Sequence, residues 1–216
     1  MVRGPIHHFL RDGDASILTA ALWEARGPSA GNIVLANDSN GYLQITASAL
    51  AERSYVRLIA NPPMLDGTLR VQMLIEGWDA VTTIYPAGPG VRMSWTSGNN
   101  MSGYGCIIGR DGALSTKAFR WRMRELVTGV NTGIGVQSTA VSGGLIGVWS
   151  DMRLSVMSDG ANADISCDCR REGQATSEYA DVVQDDASPR VGSDCGIWIN
   201  YLPTTHAIRV KLIEVS

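Results

Sequence analysis

Between residues 145 and 215 the chain alternates apolar and polar residues in short stretches separated by turn residues, and the last stretch runs to the C-terminal end. In 163–170, Ala163, Ile165, Cys167 and Cys169 point one way and Asp164, Ser166, Asp168 and Arg170 the other. In 149–157, Met152, Leu154 and Val156 alternate with Asp151, Arg153 and Ser155, and Ser158-Asp159-Gly160 supplies a hairpin turn between the two stretches. A period of two places successive side chains on opposite faces of a sheet, so each stretch is a strand with one dry and one wet face. Strands of that kind joined by tight turns form antiparallel sheets, and two such sheets stack to cover their dry faces. The expected fold class is an all-β antiparallel sandwich.

The rest of the chain agrees. Strands are expected at 33–36, 42–47, 55–60, 68–76, 91–95, 104–109 and 118–126, then at 149–157, 163–170, 196–201 and 207–215. Asn40-Gly41 and Asp66-Gly67 are turn signals. Leu69, Val71, Met73 and Ile75 share one face of their strand, as do Val91, Met93 and Trp95 of theirs. Gly88-Pro89-Gly90 reads as the break that opens a strand, 130–144 as a loop, and 179–183 as either a short strand or part of a loop. The last strand keeps phase through Ile208, Val210 and Leu212 and slips at Ile213, which predicts a bulge. Residues 14–25 suit a short helix capped by Asp14 or Ser16, or an extended segment that lays Leu22 and Trp23 on the sandwich. With no linker, charge block or βαβ alternation, residues 16–216 read as one domain preceded by an irregular arm at 1–15.

The 216 residues are 44% hydrophobic with mean hydropathy near zero, which supports a packed core. A net charge of −3 offers no broad basic surface for nucleic acid. No apolar run is long enough to cross a bilayer, and the opening MVRGPIHHFLRDGD lacks the apolar stretch of a signal peptide. Neither membrane insertion nor secretion is therefore expected, and the compartment is read as reducing. Cys106, Cys167, Cys169 and Cys195 then read as buried free thiols. A domain of this size needs no disulfide staples, and a Cys-x-Cys pair with one distant Cys lacks zinc-site spacing. No metal or cofactor is expected.

The segments LWEARG, NGYLQITAS, GVRMSW, GYGCIIG, VWSDMRLSVMSDG and GIWINYLPTTHAIRVKLIEV follow one another in an order that resembles the concanavalin A-like lectin/glucanase superfamily, laminin G-like modules included, over nearly the whole chain. The resemblance implies a jelly-roll sandwich whose last strand returns beside the first part. It is similar to non-catalytic versions of the fold found in phage and viral structural proteins. Hydrolases of that family carry an E-x-D-x-x-E run on one strand. The nearest run here, Glu76-Gly77-Trp78-Asp79, has a different spacing and a turn-like context, and retaining glycosidases need two carboxyl groups about 5 Å apart. Nor does the chain offer the Asp and Asn cluster through which legume-type lectins bind calcium.

Among individual residues, Arg120, Arg122 and Arg124 form the sharpest constellation, because alternation lines three guanidinium groups along one strand face. Each can bond two oxygens of a phosphate, sulfate or carboxylate, so the stripe is read as a glycan- or partner-binding candidate or as a solvated outer face. Trp78, Tyr85 and Tyr104 lie near loops and are candidates for stacking on a sugar, whereas Trp95, Trp121 and Trp149 are equally explained by core packing. Gly27-Pro28-Ser29-Ala30-Gly31 fits G-x-S-x-G and His206 lies downstream, but that elbow requires a parallel sheet, so the segment reads as a turn. His7-His8, Asp12-Gly13-Asp14 and Asp185-Asp186 read as solvated arm and loop residues.

Three functional expectations follow. The leading one is a non-enzymatic structural or interaction protein of a virion, such as a phage capsid decoration, head or tail component. Its partners would be copies of itself and other particle proteins, with the arm docking on a neighbouring subunit after synthesis in the host cytoplasm. The second is a carbohydrate-binding module that uses the loop aromatics and the arginine stripe. The third is a degenerate glycoside hydrolase, which requires two carboxylates facing each other across a groove.

Overall fold

The computed structural model describes residues 7–8, 20–59, 64–76, 87–110, 119–136, 138, 141, 145–185 and 189–216. In chain order the strands are β1 (His7–His8), β2 (Trp23–Arg26), β3 (Ile33–Asn37), β4 (Leu43–Ala47), β5 (Ala51–Leu58), β6 (Gly67–Glu76), β7 (Ala87–Trp95) and β8 (Met101–Arg110). They continue with β9 (Phe119–Val127), β10 (Val130–Gly133), β11 (Ser150–Asp159), β12 (Asn162–Arg171), β13 (Tyr179–Asp185), β14 (Asp194–Leu202) and β15 (Ala207–Val215). One sheet runs β13-β12-β11-β6-β15-β4-β3, with β1 also paired to β15, and the other runs β10-β9-β8-β7-β14-β5-β2. Every pairing between these strands is antiparallel. The chain is an all-β antiparallel sandwich, as its alternation predicts, and it is the jelly roll that the resemblance implied.

The layer between the sheets is built from the faces the pattern marked. Leu69, Val71, Met73 and Ile75 of β6, Met152, Leu154 and Val156 of β11, and Ala163 and Ile165 of β12 are fully buried there. The opposing sheet contributes Val56, Val91, Tyr104, Trp121, Met123, Ile197 and Ile199. The closing strand β15 lies in the middle of its sheet, between β6 on one side and β4 and β1 on the other. Its bulge falls between Val210 and Leu212, slightly before the phase slip at Ile213. The extra residue, Lys211, leaves by the outer face, where its Nζ sits 4.6 Å from the centre of the Trp149 ring and pairs with Glu172.

Several expectations change. Residues His7–His8 of the arm pair with Val215 and Glu214, so the arm is not irregular throughout. Ala20–Leu22 form a single 3₁₀ turn rather than a longer helix, after which Trp23 packs into the core while Leu22 stays exposed. The 130–144 segment opens with strand β10, and 179–183 is strand β13. Gly88-Pro89-Gly90 does not precede β7 but lies within it. That run continues as a strand because the neighbouring backbones come very close: a Cβ at Gly88 would overlap the carbonyl oxygen of Cys106 on β8.

The phase of β7 also differs from the pattern. A register shift between Val91 and Ser94, with Arg92 at φ 48°, turns the strand over, so Val91 faces the interlayer core while Met93 packs in a second cluster on the outer face. That cluster contains Tyr55, Met93, Met101, Ile107, Leu126 and Trp198, with Trp95 partly buried against it. Arg92 itself is 4% exposed. It donates to the Leu65 and Arg190 carbonyls, Asp66 Oδ1 and Ser158 Oγ, so its charge and its strained backbone have a structural account.

The close approach at Gly88 makes a sharp prediction. Gly88→Ala forces backbone apart and lowers stability by about 3 kcal/mol, whereas Gly31→Ala, where a Cβ meets nothing within 4 Å, stays within about 0.5 kcal/mol. Urea unfolding of the two variants checks this, and equal effects would refute the packing argument.

Candidate functional site

The sheet that carries β5 and β14 is strongly curled. Strands β9, β8 and β7 lie between β10 and β14 in its order. In a flat sheet at about 4.8 Å per strand, β10 and β14 would stand about 19 Å apart. Yet Asn131 Nδ2 on β10 donates to Asn200 Oδ1 on β14 at 3.0 Å. Two asparagine side chains cannot bridge the flat-sheet distance, so the sheet bends around its outer face and encloses the second apolar cluster. Glycine makes room for this inside the bend: a Cβ on Gly105 would run into the Trp198 indole, which lies against the β8 backbone.

Where the curled sheet closes, it forms a cleft of about 530 Å³ lined by Glu52, Arg53, Asn99, Thr128, Gly129, Val130, Asn131, Asn200 and Tyr201. A cleft of this size lies within the usual range for small-ligand sites. Its backbone is unusual. Among the described residues three non-glycine positions have positive φ: Arg92, accounted for above, Arg53 at 49° and Thr128 at 45°. Both of the latter line this cleft. At Arg53 the β5 strand changes face, so that Tyr55 lies in the outer cluster while Ala51 lies in the interlayer core. Thr128 and Gly129 (φ 82°) are the two central residues of the β9–β10 hairpin, whose tight turn needs positive φ at both. The Gly129 amide donates to the Met101 carbonyl at 2.9 Å and the Thr128 amide to Ser102 Oγ at 3.3 Å, so the hairpin tip is docked on the β7–β8 connection that carries Asn99. Left-handed backbone at a β-branched residue is costly and concentrates at binding and catalytic sites.

Chemically the cleft offers amides that both donate and accept, a carboxylate, a guanidinium, two hydroxyls and one aromatic ring. That inventory suits a ligand dense in hydroxyl groups, with an apolar ring face for Tyr201.

The residues singled out by the sequence fall differently. Arg120, Arg122 and Arg124 do line one face of β9, but they are half-buried rather than solvated. They brace β10 and the segment that follows it: Arg124 lies 3.5 Å from Asn131 Oδ1, a Cβ at Gly133 would run into the Arg122 guanidinium, and Arg120 donates to the Ser138 carbonyl at 3.5 Å. Tyr104, read as a stacking candidate, is fully buried between the sheets. Its hydroxyl donates to Asp185 Oδ2 at 2.5 Å and accepts from the Arg190 amide at 2.9 Å, and burial with the Asp185 bond pushes its pKa up to about 12. Its ring is not open to a sugar. Trp78 and Tyr85 lie outside the described residues. Asp185, read as a loop residue, ends β13 and meets Glu125, whose carboxyl is raised by burial and by the Asp185 charge against the opposing pull of Arg190. These two carboxyls are bound up with Tyr104 and Arg190. In the cleft, Glu52 is the one carboxylate among the described lining residues, which gives no support to the glycosidase expectation.

Asn99, Asn131, Asn200, Tyr201, Glu52, Arg53 and Thr128 were not legible as a site. One local signal existed, the Thr128-Gly129 pair as a two-residue turn. The contacts that gather the rest are distant in sequence: Asn131 meets Asn200 across 69 residues, and Glu52 pairs with Tyr201 from the other end of the chain.

A second, smaller cleft of about 200 Å³ lies on the outer face of the other sheet, against Arg70, Trp149, Asp151, Arg170 and Lys211. Its charges are matched: Arg70 bonds Asp151 with two nitrogens at 2.8 Å each and reaches Glu214 at 3.1 Å, while Arg170 reaches Asp151 at 3.3 Å. Among the described residues, the group of three or more His, Cys, Asp or Glu side chains close enough to share one ion is Cys106, Cys167 and Cys169. Thiols do not suit calcium, which takes oxygen ligands.

No protein-family model matches this sequence, and no curated protein matches it. Solved structures do match its fold. A legume lectin-like domain from Entamoeba histolytica is 12% identical with a TM-score of 0.56, covering 97% of this chain and 96% of that one. The exoplasmic/lumenal domain of VIP36, in a form bound to Ca²⁺ and Man3GlcNAc, is 10% identical with a TM-score of 0.55, covering 91% and 83%. A Lotus tetragonolobus seed lectin is 7% identical with a TM-score of 0.53, covering 98% and 97%. At these identities the likeness establishes the legume lectin-like jelly-roll fold.

The charge network yields a pH prediction. Burial would raise the Asp151 carboxyl, but Arg70 and then Arg170 outweigh it and hold it below its ordinary value. Its contribution to stability is therefore complete above about pH 4 and is lost as pH falls through the lower folded value. Asp151→Asn costs about 1–3 kcal/mol at pH 7. In urea unfolding from pH 7 to pH 2 the gap between wild type and variant should narrow on acidification, and a pH-independent gap would contradict this account.

Proposed function

We propose that this protein is a non-catalytic glycan-binding protein and that the cleft between the β9–β10 turn and the ends of β5 and β14 is its binding site. The observation that carries this reading is the convergence of Arg53 and Thr128, two strained non-glycine residues, on one cleft whose walls hold three asparagines, a glutamate and a tyrosine. The asparagines and Glu52 supply paired donors and acceptors for neighbouring hydroxyls, and Tyr201 supplies a flat apolar face. The similar structures named above are lectins or lectin-like domains, and the VIP36 form carries a bound mannose-containing glycan. That supports the glycan reading over the particle-component reading with which the sequence analysis led.

In this proposal the arginine stripe acts indirectly, by holding Asn131 and its hairpin over the cleft. The sequence-based expectation for Trp78 and Tyr85 belongs to the same proposal, since both are stacking residues in search of a ring. Membership of a virion and self-association are proposals that rest on the sequence alone, and the native mass and co-purifying proteins of the intact chain test them.

A glycan array probed with the full chain, followed by calorimetry on the best ligand, tests the binding site. Asn200→Ala and Tyr201→Ala should each weaken binding at least tenfold with unfolding midpoints within about 3 °C of wild type. Gln184→Ala, on the edge of the other sheet, should leave it unchanged. The Trp78→Ala variant in the same array reports on the sequence-based candidates. Absence of any saturable glycan signal from folded wild-type protein, or full retention of it in both cleft variants, would sink the reading.

A further inference from the structure

Three of the four cysteines meet at one point in the interlayer core. Cys167 and Cys169 stand two residues apart on β12, so both point inward, and Cys106 comes down to them from β8 in the opposing sheet. Their three Sγ atoms all lie within 4.8 Å of one another, and Cys106 and Cys169 are 3.4 Å apart. Cys106 and Cys169 are fully enclosed and Cys167 is 5% exposed. Three sulfurs around one ion at a metal–sulfur distance of about 2.3 Å stand about 3.8–4.0 Å from one another. The observed triangle brackets that edge length, so an ion can enter with side-chain adjustment alone and no movement of either sheet.

From this geometry we infer that Cys106, Cys167 and Cys169 form a three-coordinate site for a thiophilic closed-shell ion, with copper(I) the ion that fits best. Three features select it. The donors are soft, which favours copper(I) over magnesium, calcium or manganese. The surroundings are rich in sulfur: Met123 sits directly across the ladder from Cys106 and Met152 directly across from Cys169, both fully buried. A tetrahedral zinc site needs a fourth donor. The Tyr179 hydroxyl, which lies beside Cys167, is already committed to the Val136 carbonyl at 2.6 Å. An ion content with three ligands rather than four therefore suits the site. Binding breaks S–H bonds at the coordinating sulfurs, forms S–Cu bonds and releases the protons to solvent, with no electron transferred. Entry is from the Cys167 side, the one sulfur with residual exposure. The site joins the two sheets, so an ion there adds a cross-link to the side-chain packing and the hydrogen bonds, such as Tyr104 to Asp185 and Arg92 to Ser158, that already connect the layers.

The test uses the full chain, reduced and freed of metal under anaerobic conditions, then titrated with acetonitrile-stabilised copper(I) against a chromophoric competitor. One equivalent should bind, the thermal midpoint should rise with copper concentration as expected of a ligand that binds only the native state, and X-ray absorption should report three sulfurs at about 2.3 Å. Cys106→Ser and Cys167→Ser should each lower the copper affinity at least a hundredfold, while Cys195→Ser, whose sulfur is outside the trio, should bind as wild type does. If either trio variant fails to fold, the wild-type absorption spectrum and the Cys195→Ser control still decide the matter. Substoichiometric uptake, a coordination shell dominated by nitrogen or oxygen, or equal loss in Cys195→Ser would overturn the assignment.

Discussion

The apolar layer between the two sheets is what every other feature leans on. It is assembled from alternate residues of long strands: Leu69, Val71, Met73 and Ile75 on one side meet Val56, Trp121, Met123 and Ile197 on the other. Each fully buried aliphatic side chain contributes on the order of 1.5–3 kcal/mol by leaving water, and the pleat leaves no freedom in which residues do so. A slip of one residue in β6 would present Arg70, Gln72 and Leu74 to the core, which fixes register across the sheet. The closing strand β15 depends on this. Its place between β6 and β4 is held by Ile208 and Val210, and a single bulge at Lys211 reconciles its sequence with the twist of its neighbours.

The second sheet does more than cover the first. Its outer face folds around a second apolar cluster, and the bend is permitted by glycines where Cβ atoms would collide, as at Gly105 under Trp198. Curling brings an edge hairpin back over the sheet's own middle, so Asn131 meets Asn200. The cleft is thus a product of curvature. Backbone strain at Arg53 and Thr128 falls in its lining, and the half-buried arginines of β9 hold one wall in place. This is how a sandwich with ordinary charge and no recognisable motif arrives at a polar site with defined walls.

The sulfur trio and the cleft share a lesson about distance in sequence. Cys167 and Cys169 announce themselves as inward neighbours on one strand, but Cys106 lies 61 residues earlier and joins them only across the sandwich. The Asn99, Asn131 and Asn200 of the cleft are likewise far apart, and each sits in a stretch that locally looks like an ordinary turn or strand end. Tyr104 went the other way. Its neighbourhood reads as loop-proximal, yet the strand runs through it and buries it, because Gly103 and Gly105 on either side extend β8 without adding side chains to the outer face.

Alternation alone determined the fold class, the two layers, most strand positions and nearly all of the interlayer core. Period-two burial is local, and each strand carries its own record of which face is dry. The turns at Asn40-Gly41 and Ser158-Asp159-Gly160 follow for the same reason, since turn chemistry is set by two or three adjacent residues. The tertiary structure decided everything that depends on how far a sheet bends and on which distant strands face one another: the bulge that turns over β7, the burial of Tyr104, the bracing role of Arg120, Arg122 and Arg124, the walls of the cleft and the meeting of three thiols. Those outcomes arise from packing between layers, where the deciding contact lies tens of residues away and leaves no trace in the local pattern.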